Sequence, residues 1–141
     1  MEKSINLRGL TTISYWADDV KAAKKWYATL LGAEPYFERP DSEHPVYIEF
    51  RLGDYAHELG IIDRKYAPPM PLQPGGEIAY WHVDDIQSTL DILLAHGATA
   101  YGPVTEYGTG FVTASVIDPF GNILGIMYNK HYLEILDNKQ S

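Results

Sequence analysis

The chain states one pattern twice. Ser14-Tyr-Trp-Ala-Asp-Asp-Val20 opens a helical stretch that closes at Leu30-Leu-Gly-Ala33, and Tyr80-Trp-His-Val-Asp-Asp-Ile86 opens another that closes at Leu94-Ala-His-Gly-Ala98. Asp18-Asp19-Val20 aligns with Asp84-Asp85-Ile86 at an offset of 66, and Gly32-Ala33 with Gly97-Ala98 at an offset of 65. A repeat of half the chain is too long for a solenoid unit and occurs too few times for an array. It reads as a duplicated module, and ligands tend to bind where two such halves meet.

Each copy unfolds in the same order. Leu10–Ala17 is rich in β-branched and aromatic residues and reads as a strand. Asp18 or Asp19 caps the helix that follows, with Val20, Ala23, Trp26, Tyr27 and Leu30 on its apolar face and Gly32 as its stop. A short strand over Glu34–Arg39 comes next, then a hairpin of Val46–Leu52 and Tyr55–Ile62 around a Gly53-Asp54 turn. The prolines at 68, 69, 71 and 74, with Gly75-Gly76, mark residues 63–76 as a linker without regular structure.

The second copy then runs as strand Ile78–Val83, helix Asp84–His96, a strand near Thr99–Glu106, and a hairpin of Phe111–Ile117 with Ile123–Tyr128 around Asp118-Pro-Phe-Gly-Asn122. The tail 130–141 holds Tyr132, Leu133, Ile135 and Leu136 and has the makings of a short helix. The expected organisation is therefore one domain over 1–141, with modules at 8–62 and 77–129. Helices stand apart from mostly antiparallel strands, which defines an α+β class. One helix covers one face of each sheet, so the other faces are expected to curl around a shared cavity.

Composition removes several functions. The 45% hydrophobic content suits a folded core, and no apolar run approaches the ~18 residues of a membrane span. Met1–Asn6 lacks the apolar run of a signal peptide, and a cytoplasmic protein is the expectation. With no cysteine there is no disulfide, thiolate ligand or cysteine nucleophile. A net charge of −8 leaves no basic stripe to neutralise phosphates, so neither nucleic acid nor a membrane is an expected partner. Residues 1–70 carry 9 Lys/Arg against 11 Asp/Glu, and residues 71–141 carry 2 against 8. That excess reads either as a solvated surface or as a field that draws in a cationic ligand.

Two βαβββ copies, an Asp-Asp at each helix start, Trp26-Tyr27 followed by Leu31-Gly32, and the closing Asp118-Pro-Phe-Gly-Asn122 together resemble the vicinal oxygen chelate superfamily. This group includes glyoxalase I, extradiol dioxygenases and the bleomycin-resistance proteins, and the resemblance covers residues 8–129. It implies the fold of that superfamily: two βαβββ modules forming a curled mixed sheet around a cavity. Family enzymes hold a divalent metal there through His or Glu at four equivalent points, and the metal acts as a Lewis acid. Carried onto this chain, those points fall on Thr12, Glu58, Ile78 and Gly125. Isoleucine and glycine side chains cannot ligate, and such sites typically need about three protein ligands. No metal site and no cofactor are therefore expected; a divalent metal at a displaced site is the alternative.

Strand alternation assigns faces. Thr12, Ser14 and Trp16 share one face of their strand, Tyr80 and His82 share that of Ile78, and Glu49, Arg51 and Glu58 share one face of the first hairpin. A two-residue turn would set Glu49 opposite Glu58. Glu58 is the candidate catalytic group: a general base, a cation-binding carboxylate, or one neutralised by Arg51. His82 lies about 13 Å along the strand from Ile78, too far to replace a ligand there, and reads as a ligand contact or a hydrogen-bonded structural histidine. Trp16, Tyr47, Tyr80 and Met127 line a pocket for a flat ligand or fill the space between sheets.

The expected function is metal-independent binding of an aromatic or cationic small molecule in the cavity between modules. Trp16, Tyr47, Glu49, Arg51, Glu58, Tyr80, His82 and Met127 are its contacts. The resemblance adds a homodimer. The rival is a lyase, isomerase or dioxygenase of the superfamily that uses a non-standard metal site or Glu58 as general base.

Overall fold

A computed structural model describes residues 4–140; part of the amino-terminal stretch read above as lacking a leader, and the last residue of the tail, lie outside them. The chain divides into two compact units, residues 1–66 and 67–141. In the first, β1 (Thr12–Ala17), α1 (Val20–Leu31), β2 (Phe37–Arg39), β3 (Tyr47–Leu52) and β4 (His57–Asp63) form a sheet in the order β1-β4-β3-β2. In the second, β5 (Tyr80–His82), α2 (Ile86–Ala95), β6 (Thr99–Glu106), β7 (Phe111–Ile117) and β8 (Ile123–Asn129) repeat that order as β5-β8-β7-β6. A third helix, α3 (Lys130–Gln140), follows. Each sheet is mixed: β1 runs parallel to β4 and β5 to β8, and the other pairs are antiparallel.

The repeated Asp-Asp explains why both helices begin where they do. Asp19 and Asp85 are the N-caps, accepting from the backbone N–H of Ala22 and Ser88, each at 3.0 Å. That satisfies donors which the first helical turn leaves without an intrahelical partner. Gly32 ends α1 in the left-handed conformation, with φ 66°. The apolar stripe of α1 buries Val20, Ala23 and Tyr27, while Trp26 and Leu30 are half-buried at its edge. Opposite them the sheet offers Ile48, Phe50, Leu59 and Ile61, none more than 1% exposed. Burial of such side chains stabilises by roughly 1.5–3 kcal/mol each. In the second unit Ile86 and Leu93 of α2 are buried, as are Ala114, Val116, Leu124 and Ile126 on the sheet.

Three expectations need correction. The first hairpin turns through four residues, 53–56, with Ala56 at φ 53°, and not through Gly53-Asp54 alone. Its register therefore places Arg51 opposite Glu58 and Glu49 opposite Gly60. A slip of two residues keeps every side chain on its face but changes its cross-strand partner. Residues 63–76 are not all irregular: Asp63 ends β4, and Arg64–Tyr66 form a 3-10 turn ahead of the first proline. Strand β5 is three residues long, so Ile78 precedes it and does not belong to it.

Candidate functional site

In the first unit, the sheet face opposite α1 gathers the polar side chains. Register puts Thr12 beside Glu58, Glu58 beside Arg51, Glu49 between Gly60 and Phe37, and Tyr47 beside Arg39. Glu49 is the buried member, 9% exposed. Tyr47 donates its hydroxyl to Glu49 Oε1 at 2.8 Å, and Arg51 Nη2 lies 3.4 Å from Glu49 Oε2. Arg51 is held from its other side as well, with its guanidinium carbon 4.5 Å from the centre of the Tyr36 ring. The arginine is thus turned toward Glu49 and Tyr36.

Glu58 is left differently placed. Its carboxylate accepts from Thr12 Oγ1 at 3.3 Å, and it forms no ion pair among the described residues. The face therefore carries one carboxylate that is buried and doubly held, and a second that is half-buried and held by the Thr12 hydroxyl. Tyr47 registers both. Burial, its bond to Glu49, and the negative charges of Glu49 and Glu58 push its phenol up to about 12, against a smaller opposing pull from Arg39. Space for the Tyr47 ring comes from Gly60, where a Cβ would stand 3.0 Å from Tyr47 Cε1.

The eight expected contacts fall into two sets. Trp16, Tyr47, Glu49, Arg51 and Glu58 share that first-unit face. Tyr80, His82 and Met127 share a face of the second sheet, where His82 pairs with Met127 and Tyr80 with Gly125. The two sets differ in character. His82 Nδ1 accepts from the Asn129 N–H at 3.2 Å, and its ring stacks on Tyr132 of α3 at 4.9 Å with 13° between planes. Tyr128 packs at 5.3 Å, and Asp84 Oδ1 lies 3.4 Å from Nε2. The imidazole is therefore enclosed by its own unit, with its side chain 9% exposed. Met127 accepts a weak bond from Asn129 Nδ2 at 3.8 Å, and Tyr80 is 43% exposed.

The residues do not fit the resident metal that the fold family implies. Thr12 and Glu58 do meet, as equivalent ligands would, but they supply one carboxylate and one neutral hydroxyl. Ile78 and Gly125 also meet. A Cβ on Gly125 would stand 2.7 Å from Ile78 Cγ2, so the place of a donor is occupied by hydrocarbon. Among the described residues no three His, Asp or Glu side chains gather closely enough to share an ion.

The sequence reading missed Tyr36 and Phe37. It assigned Glu34–Arg39 to a strand without faces, and Tyr36 stands just before β2, beyond the reach of strand alternation. Its backbone N–H bond to the Glu49 carbonyl, at 2.7 Å, is what brings its ring beside Arg51.

Twin βαβββ units, alike in their N-caps and each with a mixed four-stranded sheet, define the class of duplicated βαβββ folds that includes the glyoxalases. The chain matches the model of the glyoxalase/bleomycin resistance protein/dioxygenase superfamily over residues 9–126 and belongs to that family. Among solved structures, it is similar to a glyoxalase/bleomycin resistance protein from Catenulispora acidiphila, at 26% identity and TM-score 0.57, covering 88% of this chain and 97% of that one. A glyoxalase-related enzyme from Fulvimarina pelagi shares 20% identity at TM-score 0.66 over 87% and 89% of the two chains. A protein from Agrobacterium tumefaciens shares 21% at TM-score 0.68 over 87% and 98%. No curated protein matches. No helix among the described residues is long and apolar enough to cross a membrane.

Proposed function

We propose that this protein is a metal-independent binder of a small aromatic cation, such as a protonated amine joined to a ring, and that Glu58 is the anchoring carboxylate. One observation carries the reading: Glu58 has no counter-ion among the described residues, because the arginine directly across the strand is engaged by Glu49 and Tyr36. A half-buried carboxylate without an ion-pair partner gains more from an incoming cation than one in open water, since local screening is weaker. Aromatic surface shares the face, and its nearest part is the Tyr47 ring, which stands over Gly60, two residues along the strand from Glu58. Phe37 is 40% exposed opposite Glu49, and Trp16 shares the face. An ammonium group donating to Glu58 while its ring lies against this surface would use both features.

The test is titration of phenethylamine into the protein in the presence and absence of a chelator, followed by calorimetry. The reading expects equal affinity in both conditions and a loss of about tenfold for Glu58→Gln, the weight of one charge-assisted hydrogen bond. Binding that disappears with chelator, or that ignores the Glu58 change, would remove it. Chemical conversion of a bound amine or of a related ring compound, lost with Glu58→Gln, would move the protein to the enzymatic branch, with Glu58 as general base.

A further inference from the structure

Arg51 and Glu58 carry opposite charges, stand directly across from one another on one face, and do not pair. Opposed residues of antiparallel strands have Cβ atoms about 5 Å apart, so an ion pair between them is within easy reach. Arg51 instead turns to Glu49 at 3.4 Å and lies over the Tyr36 ring at 4.5 Å. Glu58 instead accepts from Thr12. Each charge is held in place by a third group. Glu49 is itself fixed, through the Tyr47 hydroxyl at 2.8 Å, so the arginine is anchored to something that does not swing.

The consequence is a fixed pair of unlike charges, side by side and open to solvent. The Arg51 side chain is 42% exposed although its Nη2 faces Glu49. A guanidinium has five N–H donors, and a contact through one nitrogen leaves others to receive a carboxylate. From this juxtaposition we infer that the ligand is a zwitterion: a compound with an ammonium and a carboxylate on the same carbon, its ammonium on Glu58 and its carboxylate on Arg51. A ring-bearing α-amino acid is the simplest member of the class. The inference rests on the amine-binding role of Glu58 proposed above, and adds the second half of the recognition.

A matched series separates the two claims. Phenethylamine, 3-phenylpropanoate and phenylalanine share one ring and carry the amine alone, the carboxylate alone, or both. Calorimetric titration of the full chain is expected to show phenylalanine binding about tenfold tighter than phenethylamine, the equivalent of one added charge-assisted contact. Arg51→Gln should erase that difference, so that phenylalanine binds no tighter than phenethylamine to the same variant, and Arg51→Lys should restore only part of it, because a lysine lacks the planar fork. Glu58→Gln should weaken both amines and spare 3-phenylpropanoate. Phenylalanine binding no tighter than phenethylamine would overturn the zwitterion and leave the amine site standing. Failure of all three compounds to bind would remove both. Thermal melting of each variant confirms that a lost affinity is not a lost fold.

Discussion

Tyr47 donates its phenolic hydrogen to Glu49, two residues further along the same strand, at 2.8 Å. The bond and the two nearby carboxylates hold its phenol up to about 12, with burial as the largest cause. A group whose folded pKa is raised favours folding below its unfolded value, here about 10, and loses that contribution as pH rises through the folded value. Stability should therefore fall between pH 10 and 12. Ultraviolet titration of the folded protein should show one tyrosine ionising late, and Glu49→Gln should bring its midpoint back toward 10. An unchanged midpoint in that variant would remove Glu49 as a cause.

Gly125 has no room for a side chain. A Cβ there would meet Ile78 Cγ2 at 2.7 Å, and the Ala79 carbonyl oxygen and Tyr80 Cδ1 at 2.8 Å. Because one neighbour is backbone, the clash cannot be relieved by a rotamer change alone. Gly125→Ala should destabilise by about 1–3 kcal/mol, as overpacked cores do, read from urea denaturation midpoints. Ile78→Ala combined with Gly125→Ala should recover part of the loss, but not the part due to the carbonyl.

The two N-caps should be of equal weight. Asp19 and Asp85 make the same bond at the same distance in equivalent places. Asp19→Ala and Asp85→Ala are each expected to cost about 1 kcal/mol, while alanine at the preceding Asp18 or Asp84 should cost less. Thermal denaturation of the four variants would check this, and matching losses within each Asp-Asp pair would contradict the assignment.

His82 should matter to the seating of α3. Its Nδ1 receives the Asn129 N–H at the point where β8 passes into the helix, and its ring carries Tyr132. His82→Phe keeps a ring but leaves that N–H without an acceptor, an expected loss of about 1–3 kcal/mol. Tyr132→Ala should leave the sheet intact and raise amide exchange across residues 130–140. Equal exchange in the variant and the parent would show that the stack contributes nothing to holding the helix.

Much of the fold was legible because short-range signals agreed. Asp19 and Asp85 announced the helix starts, Gly32 announced one end, and alternation in β3 and β4 sorted Ile48, Phe50, Leu59 and Ile61 from Glu49, Arg51 and Glu58. The cross-strand partners were not legible. Gly53-Asp54 has the composition of a two-residue turn, yet the chain takes four, and Ala56 at φ 53° gives no residue-type warning of a left-handed position. Since the slip was even, faces survived and partners did not, so the sequence reading set Glu49 opposite Glu58, where the structure has Arg51. The surroundings of His82 were hidden for another reason. Alternation gives the side of a sheet on which a ring lies, but not that Tyr132, fifty residues later, stacks upon it.

The unequal treatment of equivalent positions has a consequence for anyone who would rebuild the molecule. Where one half holds Thr12 against Glu58, the other seals the corresponding spot with the methyl of Ile78. The halves are alike in architecture but not interchangeable in chemistry. A tandem of two first halves would present a pair of acids, and a tandem of two second halves would present only grease.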